Sequence, residues 1–184
     1  MKGIVFNLLE EVIRRQYGED TWDQLLTAAK VDGIYTSLGN YWDDDLRKLV
    51  GAAAEKLGKP PGEIIRWFGF HALPLMAEKY PMFFEGHSST RPFVLTLNSI
   101  IHPEVRKAYP GADVPVFDFD TSDPRHLLIG YQSVRRLCTF AQGLIEGAGV
   151  FFDEEVLFEH LHCMHQGDDK CLFRVAFAPK ARAA

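Results

Sequence analysis

Apolar side chains recur at spacings of three and four residues through the first hundred positions, which predicts a mainly helical N-terminal part. Glycine, proline and capping residues mark the ends of these stretches. The first helix is expected to end at Gly18. Four further helices are expected from a capping Thr21 to Lys30, from Asp43 to Leu57, from the Pro60-Pro61 pair to Tyr80, and from Arg91 to Tyr109. Pro74 is expected to bend or end the fourth helix, and Pro103 to kink the fifth.

The pattern changes after Pro110-Gly111 to short apolar runs that are typical of β-strands. Strands are expected from Val114 to Phe119, His126 to Tyr131, Val156 to His162 and Leu172 to Phe177. A single helix, capped by Ser133 and running to Phe152, is inserted after the second strand. Helices followed by strands with one inserted helix indicate an α+β class, with residues 1–180 in one domain and 181–184 as a frayed tail.

Composition excludes several classes of protein. The 184 residues suit a single core, and 20 basic against 25 acidic residues leave a net charge of −5, which argues against general nucleic-acid binding. No stretch approaches the about 20 apolar residues of a membrane span, and the apolar run at the N-terminus is too short to predict a signal peptide. The sequence therefore predicts a cytoplasmic protein. Its 14 Phe residues predict an aromatic-rich interior.

His102 is the first candidate for function. It lies on a largely apolar helical face, directly before Pro103. The sequence alone leaves two interpretations open. His102 is either a half-buried histidine with local hydrogen bonds, or a functional imidazole beside a proline kink.

A second candidate is the motif Tyr131-x-Ser133-x-Arg135, at the passage from a strand to a helix. Residues two and four apart on an extended chain point the same way, so a phenol, a hydroxyl and a guanidinium can converge on one anion. The alternative is a capped helix start followed by a surface arginine.

Taken together, these motifs resemble the H-NOX family, the haem nitric oxide/oxygen-binding domains related to the sensor domain of soluble guanylate cyclase. The resemblance extends over nearly the whole chain. It rests on the opening Met1-Lys2-Gly3-Ile4-Val5-Phe6-Asn7, on His102 to Pro110, on Pro115, on the Tyr131-x-Ser133-x-Arg135 motif, and on Gly143-Leu144-Ile145-Glu146-Gly147.

The resemblance implies a b-type haem between a helical subdomain, residues 1–60, and a helix-plus-antiparallel-sheet subdomain, residues 61–180. His102 would be the proximal axial ligand of the iron. Tyr131, Ser133 and Arg135 would hold the haem propionates, because carboxylates at a buried edge need donors. Pro115 would press on the porphyrin and distort it.

The distal side decides gas selectivity in this family, where oxygen binders carry a tyrosine that donates to bound oxygen. The corresponding position here is Phe140, and Leu9, Pro74 and Val5 are further expected distal or haem contacts without a donor. We therefore expect a sensor of nitric oxide and carbon monoxide that excludes oxygen.

The resemblance also implies a zinc site, which a bacterial subset of H-NOX proteins carries. Cys138, His160, Cys163 and Cys171 would form a tetrahedral Cys3His set, with His162 and His165 as weaker choices. The alternative is three thiols without a metal. An odd number of cysteines is in any case a poor disulfide framework.

No catalytic motif is recognisable, so we expect a sensor and not an enzyme. The chain ends with the sensing domain, so the effector would be a separate histidine kinase or diguanylate cyclase/phosphodiesterase. One rival hypothesis is a haem-independent zinc/thiol redox or adaptor module. Another is an oxygen sensor or haem enzyme, which Phe140 disfavours.

Overall fold

The computed structural model describes residues 1–180, which form an α+β fold of helices followed by an antiparallel sheet. The α-helices are α1 (Gly3–Tyr17), α2 (Glu19–Ala29), α3 (Asp43–Leu57), α4 (Pro61–Lys79), α5 (Thr90–Leu95), α6 (His102–Ala108) and α7 (Cys138–Phe151). The strands are β1 (Val116–Asp120), β2 (Leu127–Gln132), β3 (Glu154–His162) and β4 (Cys171–Pro179). Short 3₁₀ turns occur at Pro81–Phe83 and Met164–Gln166.

Most of the expected helix ends are confirmed, with one correction at α2. Gly18 ends α1 at a φ of 92°, and Gly58 ends α3 in the left-handed region at a φ of 62°. Thr21, however, is not a cap, because α2 already begins at Glu19. Its hydroxyl instead donates to the Tyr17 carbonyl at 2.9 Å. Pro74 does not end α4, which continues to Lys79.

The expected long helix from Arg91 to Tyr109 is wrong. The segment divides into α5, a π-helical turn at Leu97–Ile101, and α6, which begins at His102. In the π turn the His102 N–H donates to the carbonyl of Leu97, five residues earlier. Pro103 therefore lies in the first turn of α6, directly after the π turn, where a missing N–H is tolerated.

The sheet has the order β1-β2-β4-β3, and all its neighbouring strands are antiparallel. Tyr131 on β2 is the Cα partner of Phe117 on β1 and of Cys171 on β4. The inserted helix begins later than expected, at Cys138. Arg136 adopts a left-handed φ of 51°, which interrupts any helix starting at Val134. Ser133 consequently caps a turn, where its Oγ accepts from the Arg135 N–H at 3.2 Å.

Two apolar clusters form the core. The helical cluster is built from α1 to α4 and includes Phe6, Trp22, Leu49 and Phe68. The sheet cluster combines β1, β2, β4, α5 and α7. Met76 on α4 and Leu144 on α7 pack against both clusters, so these two helices join the halves. The division at residue 60 stays a prediction, since α4 contributes residues to each cluster.

Helices α4 and α7 cross at unusually close range because glycines line the contact. A Cβ added at Gly143 would lie 2.0 Å from the Arg66 carbonyl oxygen, and one at Gly147 would lie 2.6 Å from the Phe70 carbonyl oxygen. Both obstacles are backbone atoms, which cannot move aside as a flexible side chain can.

Among residues 1–180, no helix is both long and apolar enough to span a membrane.

We expect Gly143→Ala to lower the free energy of unfolding by about 2–3 kcal/mol, because the added methyl group would force the two helices apart. The matched control is Gly51→Ala inside α3, where an added Cβ meets nothing within 4 Å. That change should be neutral or stabilising by up to about 1 kcal/mol. Urea unfolding of both variants checks this, and equal stabilities would contradict the proposed close crossing.

Candidate functional site

His102 begins α6, and its imidazole is half-buried against the sheet cluster. Its ring stacks on Phe117 with a centroid distance of 5.7 Å. Its Nδ1 is buried and has no hydrogen-bond partner within residues 1–180. Burial, together with the charge of Arg106, lowers the pKa of His102 to about 4, while the adjacent Pro115 backbone acts in the opposite direction. A neutral imidazole with an uncommitted ring nitrogen is the form that binds metals.

This pKa predicts a pH dependence of stability in the haem-free protein. Between about pH 6.5 and about pH 4 the unfolded chain protonates His102, whereas the folded protein keeps it neutral. The free energy of unfolding should therefore fall as the pH falls through this window. We expect His102 to contribute about 2 kcal/mol of this loss, after allowance for its partial exposure.

The measurement is urea unfolding of the haem-free wild type and of His102→Asn at pH 7 and pH 4.5. The other titrating groups are shared by the two proteins, so the difference between their pH slopes isolates His102. Identical slopes would show that burial does not depress this pKa.

Tyr131 and Ser133 are brought together, as the motif predicts. The Tyr131 phenol is buried at the end of β2, which raises its pKa to about 12, and it interacts with the Ser133 hydroxyl and the Leu137 backbone. These two side chains supply neutral hydrogen-bond donors beside the stretch that leads into α7.

Arg135 is paired with two carboxylates that the sequence analysis did not single out. Its Nε donates to Asp43 Oδ2 at 2.9 Å, and its Nη1 donates to Asp113 Oδ2 at 2.9 Å. Burial alone would raise the pKa of Asp43, but hydrogen bonds from the N-terminal ammonium and Arg135 lower it overall. Asp43 is 92 residues from Arg135 in sequence, so no local pattern indicates this pairing.

The guanidinium of Arg135 is thus a half-buried anion-binding group, and its Nη2 donates no hydrogen bond among the described residues. It lines two cavities, of about 290 Å³ and about 570 Å³, neither of which is lined by His102. The smaller cavity is mainly apolar, with walls from α3, α4 and the segment before α7.

The distal candidates divide into three that lie in the interior and one that does not. Phe140 is half-buried on α7, and its ring lies 4.9 Å from that of Phe68. Leu9 belongs to the helical cluster, and Val5 packs against it. None of these three side chains can donate a hydrogen bond. Pro74 is exposed between the buried Leu73 and Leu75, so the structure does not group it with the other three.

The cysteine and histidine candidates form a compact cluster. One ligand atom from each of Cys138, His160, Cys163 and Cys171 lies within 4.8 Å of all the others. Cys138 begins α7, Cys171 begins β4, His160 lies near the end of β3 before a bulge, and Cys163 directly follows β3. One helix and one β-hairpin therefore supply a Cys3His set of ligands.

The cluster contains a buried ring nitrogen without a hydrogen-bond partner among the described residues, and buried thiols, as expected of a metal site. His160 Nε2 is buried without a hydrogen-bond partner among residues 1–180, and burial raises the pKa values of the Cys138 and Cys171 thiols. A cation would reverse that shift, because it stabilises thiolates. The alternative ligands are engaged elsewhere: His162 faces Asp168 at 3.6 Å, and His165 Nε2 contacts the Arg136 carbonyl at 2.7 Å.

The residues present also suit a haem. A buried, uncommitted imidazole nitrogen at His102 provides an axial ligand, and Tyr131, Ser133 and the spare Nη2 of Arg135 provide donors for carboxylates. The apolar Phe140, Leu9 and Val5 suit the face of a porphyrin.

Comparison with known proteins identifies the family. A family model described as Haem-NO-binding (HNOB) matches residues 2–160. An H-NOX protein from S. oneidensis in the Fe(II)NO ligation state is 30% identical, with a TM-score of 0.89 over 96% of this chain and 99% of that chain. The H-NOX domain from Shewanella oneidensis in the Fe(II)CO ligation state is 28% identical, with a TM-score of 0.87 over 98% and 100%.

A third structure, the Fe(II) unliganded H-NOX protein from K. algicida, is 21% identical over all of both chains and supports the fold alone, with a TM-score of 0.85. The predicted α+β H-NOX fold is confirmed by these similarities. The match of the family model over most of the chain shows that this protein belongs to the Haem-NO-binding, or H-NOX, family of haem-binding gas sensors.

Proposed function

We propose that this protein senses nitric oxide and carbon monoxide through a b-type haem and does not retain oxygen. The observation that carries the proposal is the neutral imidazole of His102, whose buried Nδ1 has no hydrogen-bond partner among the described residues. It lies on the sheet side of the core, while the apolar Phe140 lies on the helical side. Further support comes from the similar S. oneidensis proteins, which have been solved in Fe(II)NO and Fe(II)CO ligation states.

When bound, haem supplies a ferrous iron that takes diatomic gases as ligands. The chain supplies the rest of the chemistry. His102 would hold the iron through a ring nitrogen, while Pro115, whose backbone adjoins His102, would restrict the porphyrin on the same side. Tyr131 and Ser133 would donate to the propionates, and Arg135 would add a charged donor through its Nη2, because its Nε and Nη1 are paired with Asp43 and Asp113.

Selectivity follows from the absence of a donor at the distal side chains. Phe140, Leu9 and Val5 offer only hydrocarbon, so a ligand that develops negative charge gains no hydrogen bond from them. Oxygen depends on such a donor far more than nitric oxide does. We therefore propose that the protein discriminates against oxygen because these distal side chains lack a hydrogen-bond donor, and not because a side chain blocks the ligand.

The test is the visible spectrum of the purified, reduced protein, alone and with each gas. We expect the haem band to shift with nitric oxide and with carbon monoxide. After brief exposure to air and removal of the gas, the reduced protein should return to its starting spectrum. A stable, reversible spectral change under air would contradict the selectivity. Absence of any haem band after reconstitution would contradict the proposed function itself.

Zinc is proposed as a second cofactor, held by Cys138, His160, Cys163 and Cys171. We expect one zinc ion per chain, and removal of that ion by a strong chelator should lower the midpoint of thermal unfolding by about 5 °C or more, since metal affinity adds to folding free energy. Metal analysis and a thermal melt measure both quantities. The exposed His162→Ala variant is the control and should keep its zinc, whereas Cys171→Ala should not.

We propose that the output is signalling and not catalysis, in the cytoplasm, with a histidine kinase or a diguanylate cyclase/phosphodiesterase as the effector. This rests on the sensor character of the family and on a site made of metal ligands and of hydrogen-bond donors for carboxylates. The check is whether nitric oxide changes the autophosphorylation rate of a candidate kinase only when this protein is present.

A second candidate function is a haem-independent zinc/thiol redox or adaptor module, which the compact Cys3His cluster favours. It requires the cluster but neither His102 nor Arg135. An effector response that survives in His102→Gly and disappears in Cys171→Ala would favour this second function over gas sensing.

A further inference from the structure

A row of packed aromatic rings connects His102, the candidate iron ligand, with His160, one of the four candidate zinc ligands. The ring of His102 lies 5.7 Å from Phe117, and Phe117 lies 5.6 Å from Tyr131. The row continues from Tyr131 to Phe173 at 5.9 Å and from Phe173 to His160 at 4.7 Å. The candidate iron ligand and a candidate zinc ligand therefore stand at its two ends.

The three middle rings are held firmly by the sheet. Phe117, Tyr131 and Phe173 lie on the adjacent strands β1, β2 and β4, and their side chains are 5%, 2% and 0% exposed. Phe117 and Tyr131 are direct cross-strand partners. Because protein interiors are densely packed, a displaced ring in this row displaces its neighbour.

The row adjoins the Cys/His cluster at two rings, which are His160 at its end and Tyr131 in its middle. Tyr131 is the cross-strand partner of Cys171, and it belongs to the same buried cluster as Cys138 and Cys171. Its hydroxyl also contacts the backbone of Leu137, the residue directly before Cys138. Tyr131 is thus paired with one cluster residue across the sheet and adjoins the stretch that carries a second one into α7.

We propose that Tyr131 is a positioning residue shared by the two sites, so that zinc in the Cys/His cluster orders the ring row and favours haem binding at His102. Metal binding would fix Cys138 and Cys171 against the Tyr131 ring and aim its hydroxyl toward the propionate side. Linkage makes the effect reciprocal, so haem would strengthen zinc binding by the same factor. The inference rests on the proposed function, since it assigns haem to one end and zinc to the other.

The first test uses the haem-free protein and zinc ions alone. In spectra of the isotope-labelled imidazoles, addition of zinc is expected to shift the His102 resonance, which is assigned by its loss in His102→Asn. In Phe117→Leu, which removes one ring of the row, the His102 shift on adding zinc should disappear while the His160 shift remains. An unmoved His102 resonance in the wild type would overturn the proposal.

The second test compares the rate of haem transfer to apomyoglobin with and without zinc. We expect zinc to slow haem loss about fivefold or more in the wild type. Phe119→Leu is the matched control, because Phe119 lies on the same strand and stacks on Phe117 but stands outside the row. The control should keep the zinc effect, and Phe117→Leu should lose it.

Tyr131→Phe keeps the ring and removes only the hydroxyl, so this variant is expected to fold and its result does not reflect a folding defect. It should retain the resonance shift at His102 but lose most of the zinc effect on haem transfer. Persistence of the full zinc effect in Phe117→Leu and Tyr131→Phe would also overturn the proposal, as would failure of the cluster to bind zinc.

These results separate the inference from the proposed function. A normal gas-responsive spectrum without any zinc effect would leave gas sensing intact and remove the coupling. A protein that never binds haem would remove gas sensing, while the resonance experiment would still decide whether the cluster communicates with His102.

Discussion

Replacing His102 with glycine is expected to speed haem loss by at least about tenfold, since the axial bond is the only proposed covalent link between the chain and the iron. Added imidazole should restore most of the wild-type absorption band by filling the space that the side chain leaves. The measurements are haem transfer to apomyoglobin and the visible spectrum of the reduced protein.

The control for this experiment is His87→Gly, which removes another partly buried histidine that lies outside the helices and strands. It should leave both the spectrum and the haem transfer rate unchanged. If His102→Gly behaved like the control, a different residue would have to hold the iron, and the assignment of the sheet side as proximal would be wrong.

Phe140→Tyr is expected to give the protein an oxygen affinity at least about tenfold higher than that of the wild type. The substitution adds one hydroxyl to a half-buried ring in an apolar setting, where a hydrogen bond to a partly charged ligand contributes about 1.5–3 kcal/mol. Nitric oxide binding should change much less. Equilibrium titration of the reduced protein with each gas provides the measurement.

Phe151→Tyr is a suitable control, because it makes the same change at the far end of α7, on a ring that is 46% exposed. It should leave the oxygen affinity unaltered. Equal oxygen affinities in Phe140→Tyr and the wild type would place Phe140 outside the gas pocket and would return the question of selectivity to the other distal residues.

Sequence periodicity predicts α3 and the four strands to within two residues, but it misses the division of the expected Arg91–Tyr109 helix and the irregular turns that place the site. The limits of α3 and the four strands follow from local signals, such as the acidic first turn at Asp43 and the glycine at position 58. The π turn before His102 and the left-handed Arg136 leave no such signal in the sequence.

The candidate site was predictable where its residues form a motif, and unpredictable where they meet only through folding. The Cys3His cluster and the Tyr131–Ser133 pair were anticipated from the family resemblance, and the side chains do come together. The bond between Arg135 and Asp43 was not anticipated, because the acidic run at Asp43 has a sufficient local explanation as a helix start. Long-range ion pairs of this kind have no periodicity to reveal them.

The π turn at Leu97–Ile101 has a consequence for the helical phase of His102. Each residue advances an α-helix by about 100°, so one extra residue held in a wide turn rotates everything after it by about that angle. The face on which His102 points is therefore set by this turn and not by the apolar stripe of α5. A single-residue deletion there would leave Pro103 beside His102, yet turn the imidazole away from Phe117.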